Sequence, residues 1–220
     1  MKLLLTILSF CIATELQAQR MEFNISGAGK DIGNFFIERY ISEDSTYFYS
    51  ESLVTFDVIF SEYTVKYISQ AFYLRDTLNH CNVTVLVNGK FKKSTDTQRK
   101  DGGYNVIFTD DKKKESLHTF KHQGYLTSSS SLFYDIPSQG DTSYAELYGN
   151  GGVIDYTSTG QYNVENLDGY NPTHYFISNG QVQKRVVENL VLDFVMTLTS
   201  VKELPSNTDS SNSKPIPKTF

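Results

Sequence analysis

Cysteine is scarce in this sequence: Cys11 and Cys81 are the only two. Cys11 lies in an N-terminal segment expected to be removed, so one thiol remains and no intramolecular disulfide can form; burial of a core must hold the fold together. No Cys–His arrangement surrounds Cys81, which stands beside the run Val83–Val87, so it reads as a small buried hydrophobe rather than a reactive thiol. Long apolar runs are missing beyond the first residues, and none approaches the roughly 18 uninterrupted apolar residues of a transmembrane helix. Positive charge is not in excess either. The net charge is −5, which gives phosphate backbones nothing to bind, so nucleic acid is not expected as a partner. There is no internal repeat, no pair of apolar helical stripes for a βαβ unit, no His-Glu-x-x-His and no Gly-x-Ser-x-Gly.

What is present is aromatic and alternating. Tryptophan is absent, but 15 Tyr and 15 Phe make the chain 14% aromatic against 20% charged, a balance of folded β proteins rather than of disordered chains. Phe48, Val54, Phe56, Val58 and Phe60 share one parity while Glu51, Thr55 and Asp57 share the other; Tyr63, Val65, Tyr67, Ala71 and Tyr73 repeat the pattern, and Val83–Val87 continues it. Gly27–Asp31 reads as the turn of an opening hairpin between Glu22–Ser26 and Ile32–Ile41. Asn88-Gly89 and Asn179-Gly180 are type I′ signals, because both central residues must take positive φ. Further strands are expected at Phe91–Thr97, Tyr104–Thr109, Ser116–Phe120, Ser143–Tyr148, Val153–Ser158, Gln161–Glu165, His174–Ser178 and Val182–Glu188. In the last one, Leu190–Leu198, both parities are apolar enough to suggest burial on both faces. The fold class is therefore all-β: a curved antiparallel meander forming a barrel, half-barrel or sandwich, with at most a short helix near Gly124–Tyr134.

The organisation expected is a signal peptide over residues 1–19, one β domain over 20–202 and a disordered tail over 203–220. Lys2, the apolar stretch Leu3–Ala13 and small Ala18 form an export signal with cleavage near Ala18 or Gln19. Lipidation at Cys11 is not expected, since bulky Phe10 sits where processing needs a small residue. Ser, Asn, Thr, Lys and three of the five prolines fill the tail. The mature chain reads as periplasmic or secreted.

Four groups of residues invite chemistry. Glu115, His118 and His122 form a candidate nitrogen–oxygen set for Zn²⁺, although the plain expectation is a solvated histidine pair flanking a hairpin, with no metal and no cofactor. Ser128–Ser131 could supply a nucleophile, but reads as a flexible polar loop. Asp135, Asp141, Glu146 and Asp155 could include an acid pair, yet each is expected in a solvated turn. Lys112–Lys114, with Lys90, Lys92 and Lys93, reads as a hairpin edge guarded by lysine rather than a basic docking surface, because Asp110, Asp111 and Glu115 offset it. The glycosylation triplets at Asn24 and Asn82 fall inside expected strands.

Four segments carry a resemblance: Gly29-Lys30-Asp31-Ile32-Gly33, Asn88-Gly89-Lys90, Ser131–Pro137 and Tyr175–Gly180. Between about Glu22 and Val201 the chain resembles an uncharacterised, exported domain-of-unknown-function family of Bacteroidetes. Where members tend to carry an acidic residue before the mid-chain proline, this chain has Ile136. The resemblance implies export and a curved antiparallel fold similar to the half-barrels of periplasmic lipoprotein carriers, and it carries over no catalytic residue. The functional expectation is a non-enzymatic envelope protein holding a lipid or acyl chain on a concave β surface. The alternatives are a secreted hydrolase with its site in the His118–Asp135 loops, or a structural, protein-binding component.

Overall fold

The computed structural model describes residues 17–58, 61–166, 172–188 and 193–205. Of the export signal expected at residues 1–19, residues 1–16 lie outside them, as does nearly all of the expected tail. The described chain is all-β. Its strands are β1 Gln17–Gly27, β2 Lys30–Ser42, β3 Ser45–Val58, β4 Ser61–Leu74, β5 Thr77–Val87, β6 Lys90–Lys100, β7 Gly103–Asp110 and β8 Glu115–Lys121, then β9 Thr127–Ser128, β10 Thr142–Ala145, β11 Asn150–Ser158, β12 Gln161–Asn166, β13 Thr173–Ser178, β14 Gln181–Val187 and β15 Phe194–Leu204. The short helix expected near Gly124–Tyr134 is a single 3-10 turn, Ser131–Phe133.

All fifteen strands join one sheet, in the order β8 through β1 and then β15 back to β9. Two meanders are thus zipped together by the pairing of β1 with β15, from Ala18 opposite Leu204 to Gly27 opposite Phe194. β15 runs to Leu204, past the boundary at 202 that composition suggested, because Glu203 and Leu204 pair with Gln19 and Ala18. Every neighbouring pair is antiparallel except the short contact of β9 with β10. Tight turns set the register. Asn88-Gly89 takes φ of 50° and 73°, and Asn179-Gly180 takes 52° and 73°, the left-handed pair a type I′ turn needs. Gly33 permits a close approach instead. A Cβ there would lie 2.0 Å from the Leu53 carbonyl oxygen, so β2 and β3 can come together only because it is missing.

The sheet rolls past closure. Bulges interrupt the ladders at Ile25/Ser26, Phe72/Tyr73, Val85/Leu86 and Phe176/Ile177, increasing bend and twist. The β10–β11 edge consequently tucks against the concave face of β6 and β7. Thr97 Oγ1 and the Tyr144 hydroxyl lie 2.7 Å apart, Thr95 Oγ1 donates to the Leu147 carbonyl at 2.8 Å, and Gly149 sits against Val106 and Phe108. β8 overhangs this seam with every residue but Phe120 exposed, Leu117 at 65%.

The alternation read from the sequence is the inside–outside code of this roll. Met21, Phe23, Ile25, Phe35, Ile37 and Phe48 point inward with Leu78, Cys81 and Val83. Between β8 and β10 the chain enters the interior and fills one half of it. Tyr104 Oη donates to the Leu78 carbonyl at 2.8 Å and accepts from the Tyr125 amide at 3.0 Å, and the Tyr162 hydroxyl donates to the Leu132 carbonyl at 3.0 Å. Phe133 packs edge-on to Phe23, ring centroids 5.2 Å apart. In β15 the expectation of burial on both faces fails over the described part of Leu190–Leu198: Met196 is buried while Asp193 and Thr197 are exposed, so one parity faces the core, up to a bulge at Thr199 that sets Val201 opposite Met21.

Candidate functional site

The inward chain segment fills only part of the roll. Toward the β1–β2 turn the concave face forms a half-open cavity of about 420 Å³, within the range of roughly 300–1,000 Å³ common for small-molecule pockets. Its wall is contributed by strands from both meanders: Ile25 of β1, Val54 and Phe56 of β3, Val65 of β4, and Phe194 and Met196 of β15. Leu132 and Phe133 of the 3-10 turn form its floor. The wall is mostly apolar because the inward parities of β1, β3, β4 and β15 carry Ile, Val, Phe and Met.

The polar part is concentrated. The serine run, expected as a flexible loop, is inside the roll: Ser128, Ser130 and Ser131 are buried. The physical reason is Glu146, also expected in a solvated turn and in fact 0% exposed. It occupies the turn between β10 and β11, closed by Gly149 N donating to the Ala145 carbonyl at 2.9 Å, which aims its side chain inward. Its Oε1 accepts from Ser128 Oγ at 2.6 Å and Ser130 N at 2.9 Å; its Oε2 accepts from Ser69 Oγ at 2.5 Å and Ser130 Oγ at 2.9 Å. A buried acid is tolerated where its acceptor sites are filled, and here serines fill them. Asp135, Asp141 and Asp155 are exposed as expected, although Asp155 stands on β11 rather than in a turn.

Among the described residues the cavity's one charged lining residue is Arg185. It sits on β14 opposite Tyr175 of β13 and Met196 of β15. Its guanidinium lies over the rings of Phe133 and Tyr175, 5.4 and 5.3 Å from their centroids. Among the described residues Arg185 Nε is buried without a hydrogen-bond acceptor. Nearby, burial pushes the Tyr67 phenol well above its ordinary range, Glu146 adding to the shift and Arg185 opposing it.

The sequence candidates for chemistry do not converge here. Glu115 and His118 stand on exposed β8, where the His118 ring meets Phe108 edge-on at 5.4 Å. His122 follows the end of β8, stacked on Tyr125 at 3.8 Å, its Nδ1 accepting from the Gly124 amide at 3.1 Å. Among the described residues no three His, Cys, Asp or Glu side chains group as metal ligands would. Ser128 and Ser130 donate to Glu146, and Ser131 Oγ accepts from Ser128 N at 2.9 Å. Cys81 is fully buried, and burial first, then Glu146, drives its thiol well above the usual range. In the lysine-rich hairpin, Lys92 pairs with Asp111 at 2.5 Å and Asp110 accepts from the Lys112 and Lys114 amides at 2.9 Å.

Of the site's two charged residues, one had a signal in the sequence. Glu146 is an acid inside the apolar run Tyr144–Tyr148, which a solvated turn does not need. Arg185 was obscured by a bulge. Ile177 pairs with Val182 but Phe176 with Lys184, so Gln183 is an extra residue; strict alternation from buried Val182 would turn Arg185 outward, and the bulge turns it in.

Over residues 23–199 the chain matches the family described as Domain of unknown function (DUF6134). It belongs to that family. A solved structure with the same fold is the beta-barrel-like protein of Domain of Unknown Function DUF1849 from Brucella abortus, which is 10% identical, with a TM-score of 0.58 over 88% of this chain and 100% of that one. At that identity the likeness concerns the fold alone: the DUF6134 roll and the Brucella protein share a barrel-like architecture. No curated protein matches the chain.

Proposed function

We propose that this DUF6134 domain is a non-enzymatic binding protein of the cell envelope that holds a lipid or other apolar ligand inside its rolled sheet. The observation that carries the reading is the cavity, an apolar space walled by strands of both meanders while the other half of the interior is packed. Filled cores are close-packed, so an unfilled apolar volume of this size invites a guest. The hydrolase alternative gains no support from the serines, which are engaged with Glu146 and not with a histidine. In this reading the chain is exported and cleaved near Ala18 or Gln19, which leaves Gln19–Gly27 of β1 to pair with both β2 and β15.

Native mass spectrometry of the protein purified from its own cell envelope, with organic extraction of anything bound, tests the proposal. The expected result is a mature N-terminus near Gln19 and a lipid-class adduct at one per chain. A clean apoprotein mass across gentle preparations, together with no binding of the neutral probe N-phenyl-1-naphthylamine, refutes it.

A further inference from the structure

We propose that the occupant of the cavity is an amphiphile with a single carboxylate head and an acyl-like tail, and that Arg185 receives the head. The proposal rests on the cavity being a ligand site, and adds which ligand class it takes. An arginine lining an apolar cavity needs an explanation: Arg185 is half-buried with its Nε out of solvent, and a buried donor without an acceptor costs free energy. Here the pairing is absent among the described residues. No carboxylate forms an ion pair with Arg185, no oxygen accepts from its buried Nε, and its partners are the faces of Phe133 and Tyr175. Glu146 does not serve, since its two oxygens accept from Ser69, Ser128 and Ser130.

The two ring contacts place the guanidinium at the cavity wall, and among the described residues no oxygen accepts from its Nε; a guanidinium so placed can receive a carboxylate through two parallel bonds. Charge count selects a monoanion. With Arg185 the one charged lining group among the described residues and the Glu146 carboxyl behind Ser130, a phosphate monoester of charge near −2 would bring more negative charge than the site can balance. The remaining wall, with Val54, Phe56, Val65, Val187 and Phe194, suits a hydrocarbon tail. At about 30 Å³ for a water-sized group, the 420 Å³ holds on the order of a dozen methylenes.

The test is displacement of N-phenyl-1-naphthylamine from delipidated mature protein by dodecanoate, dodecanol and dodecyl phosphate, for the wild type, R185M and R185K. A charge-assisted pair predicts that wild type prefers dodecanoate to dodecanol by about 10- to 100-fold. R185M is expected to bring that ratio close to one, and R185K, which keeps the charge without the planar fork, to retain part of it. Equal affinity of the wild type for dodecanoate and dodecanol overturns the role of Arg185 while leaving the apolar cavity intact. A preference for dodecyl phosphate over dodecanoate overturns the carboxylate assignment. Probe uptake with no displacement by any of the three rejects the tail as well as the head, and failure of the probe itself to bind rejects the cavity as a ligand site. If R185M does not fold, R185K and the wild-type ratio decide.

Discussion

Replacing Glu146 by alanine removes one acceptor group and strands four donors: Ser69 Oγ, Ser128 Oγ, Ser130 N and Ser130 Oγ. Ser130 lines the cavity and can recover water there, whereas Ser69 and Ser128 are 0% exposed, do not reach it and keep only the Tyr67 and Tyr73 phenols beside them. At about 1–3 kcal/mol for each buried group left unsatisfied, the two sealed serines alone cost about 2–6 kcal/mol, and E146A should lose about 3–5 kcal/mol. That is a large share of the roughly 5–15 kcal/mol typical of a folded domain. In urea, with a slope of about 1–3 kcal/mol per molar, the midpoint should fall by about 1 M or more. A double-mutant cycle sharpens the attribution: S69A should cost about 1 kcal/mol or more in the wild type and little in E146A, because its partner is already gone. A loss below about 1 kcal/mol for E146A, or additive S69A and E146A effects, would mean that water replaces the carboxylate and that the serine run does not hold the inward segment in place.

Two further predictions concern the seam and the thiol. Glu22 on β1 is held down at about 2, first by its hydrogen bond from Lys202 and then by those from Ser200 and Arg20; its folded value lies below the unfolded value of about 4.3, so its contribution is present above about pH 4.3 and is lost as pH falls toward 2. Urea midpoints measured from pH 5 to 2.5 should therefore fall less steeply for E22Q than for the wild type, by about 1 kcal/mol or less after solvent screening, and identical acid limbs would show that the ion pairs do not help hold β1 to β15. Cys81, fully buried with its thiol driven up, should resist a water-soluble thiol reagent in the native protein and react only as the domain opens in urea; prompt labelling without denaturant would contradict its burial.

Most of the sheet was legible in the sequence because strand parity and turn chemistry are local. Asn88-Gly89 and Asn179-Gly180 specify their turns by the φ angles they tolerate, and the Phe48–Phe56 alternation identifies an inward face without reference to any partner. The site was legible only in part, since it depends on groups that are far apart in the chain. Ser69 and Ser128 look like ordinary polar residues until the roll brings them both to Glu146. Arg185 reads as a solvent-facing residue of a charged strand until the bulge at Gln183 reverses its side. The same non-local dependence explains β15: its apolar residues on both parities suggested burial on two faces, but the sheet offers a single concave side.

The zipping of β1 to β15 has a kinetic consequence. Nearly every other ladder joins strands consecutive in sequence and can form as soon as its hairpin exists, whereas this seam joins groups as distant as Thr199 and Glu22, 177 residues apart. The loop-closure entropy of that pairing must be met before its bonds are gained, so it should form last and limit the folding rate. Until β15 arrives, β1 presents one open edge in the nascent chain, with Met21, Phe23 and Ile25 along it. The most vulnerable moment in the life of this protein is therefore the interval before its last strand is made, when that edge is free to pair with another copy.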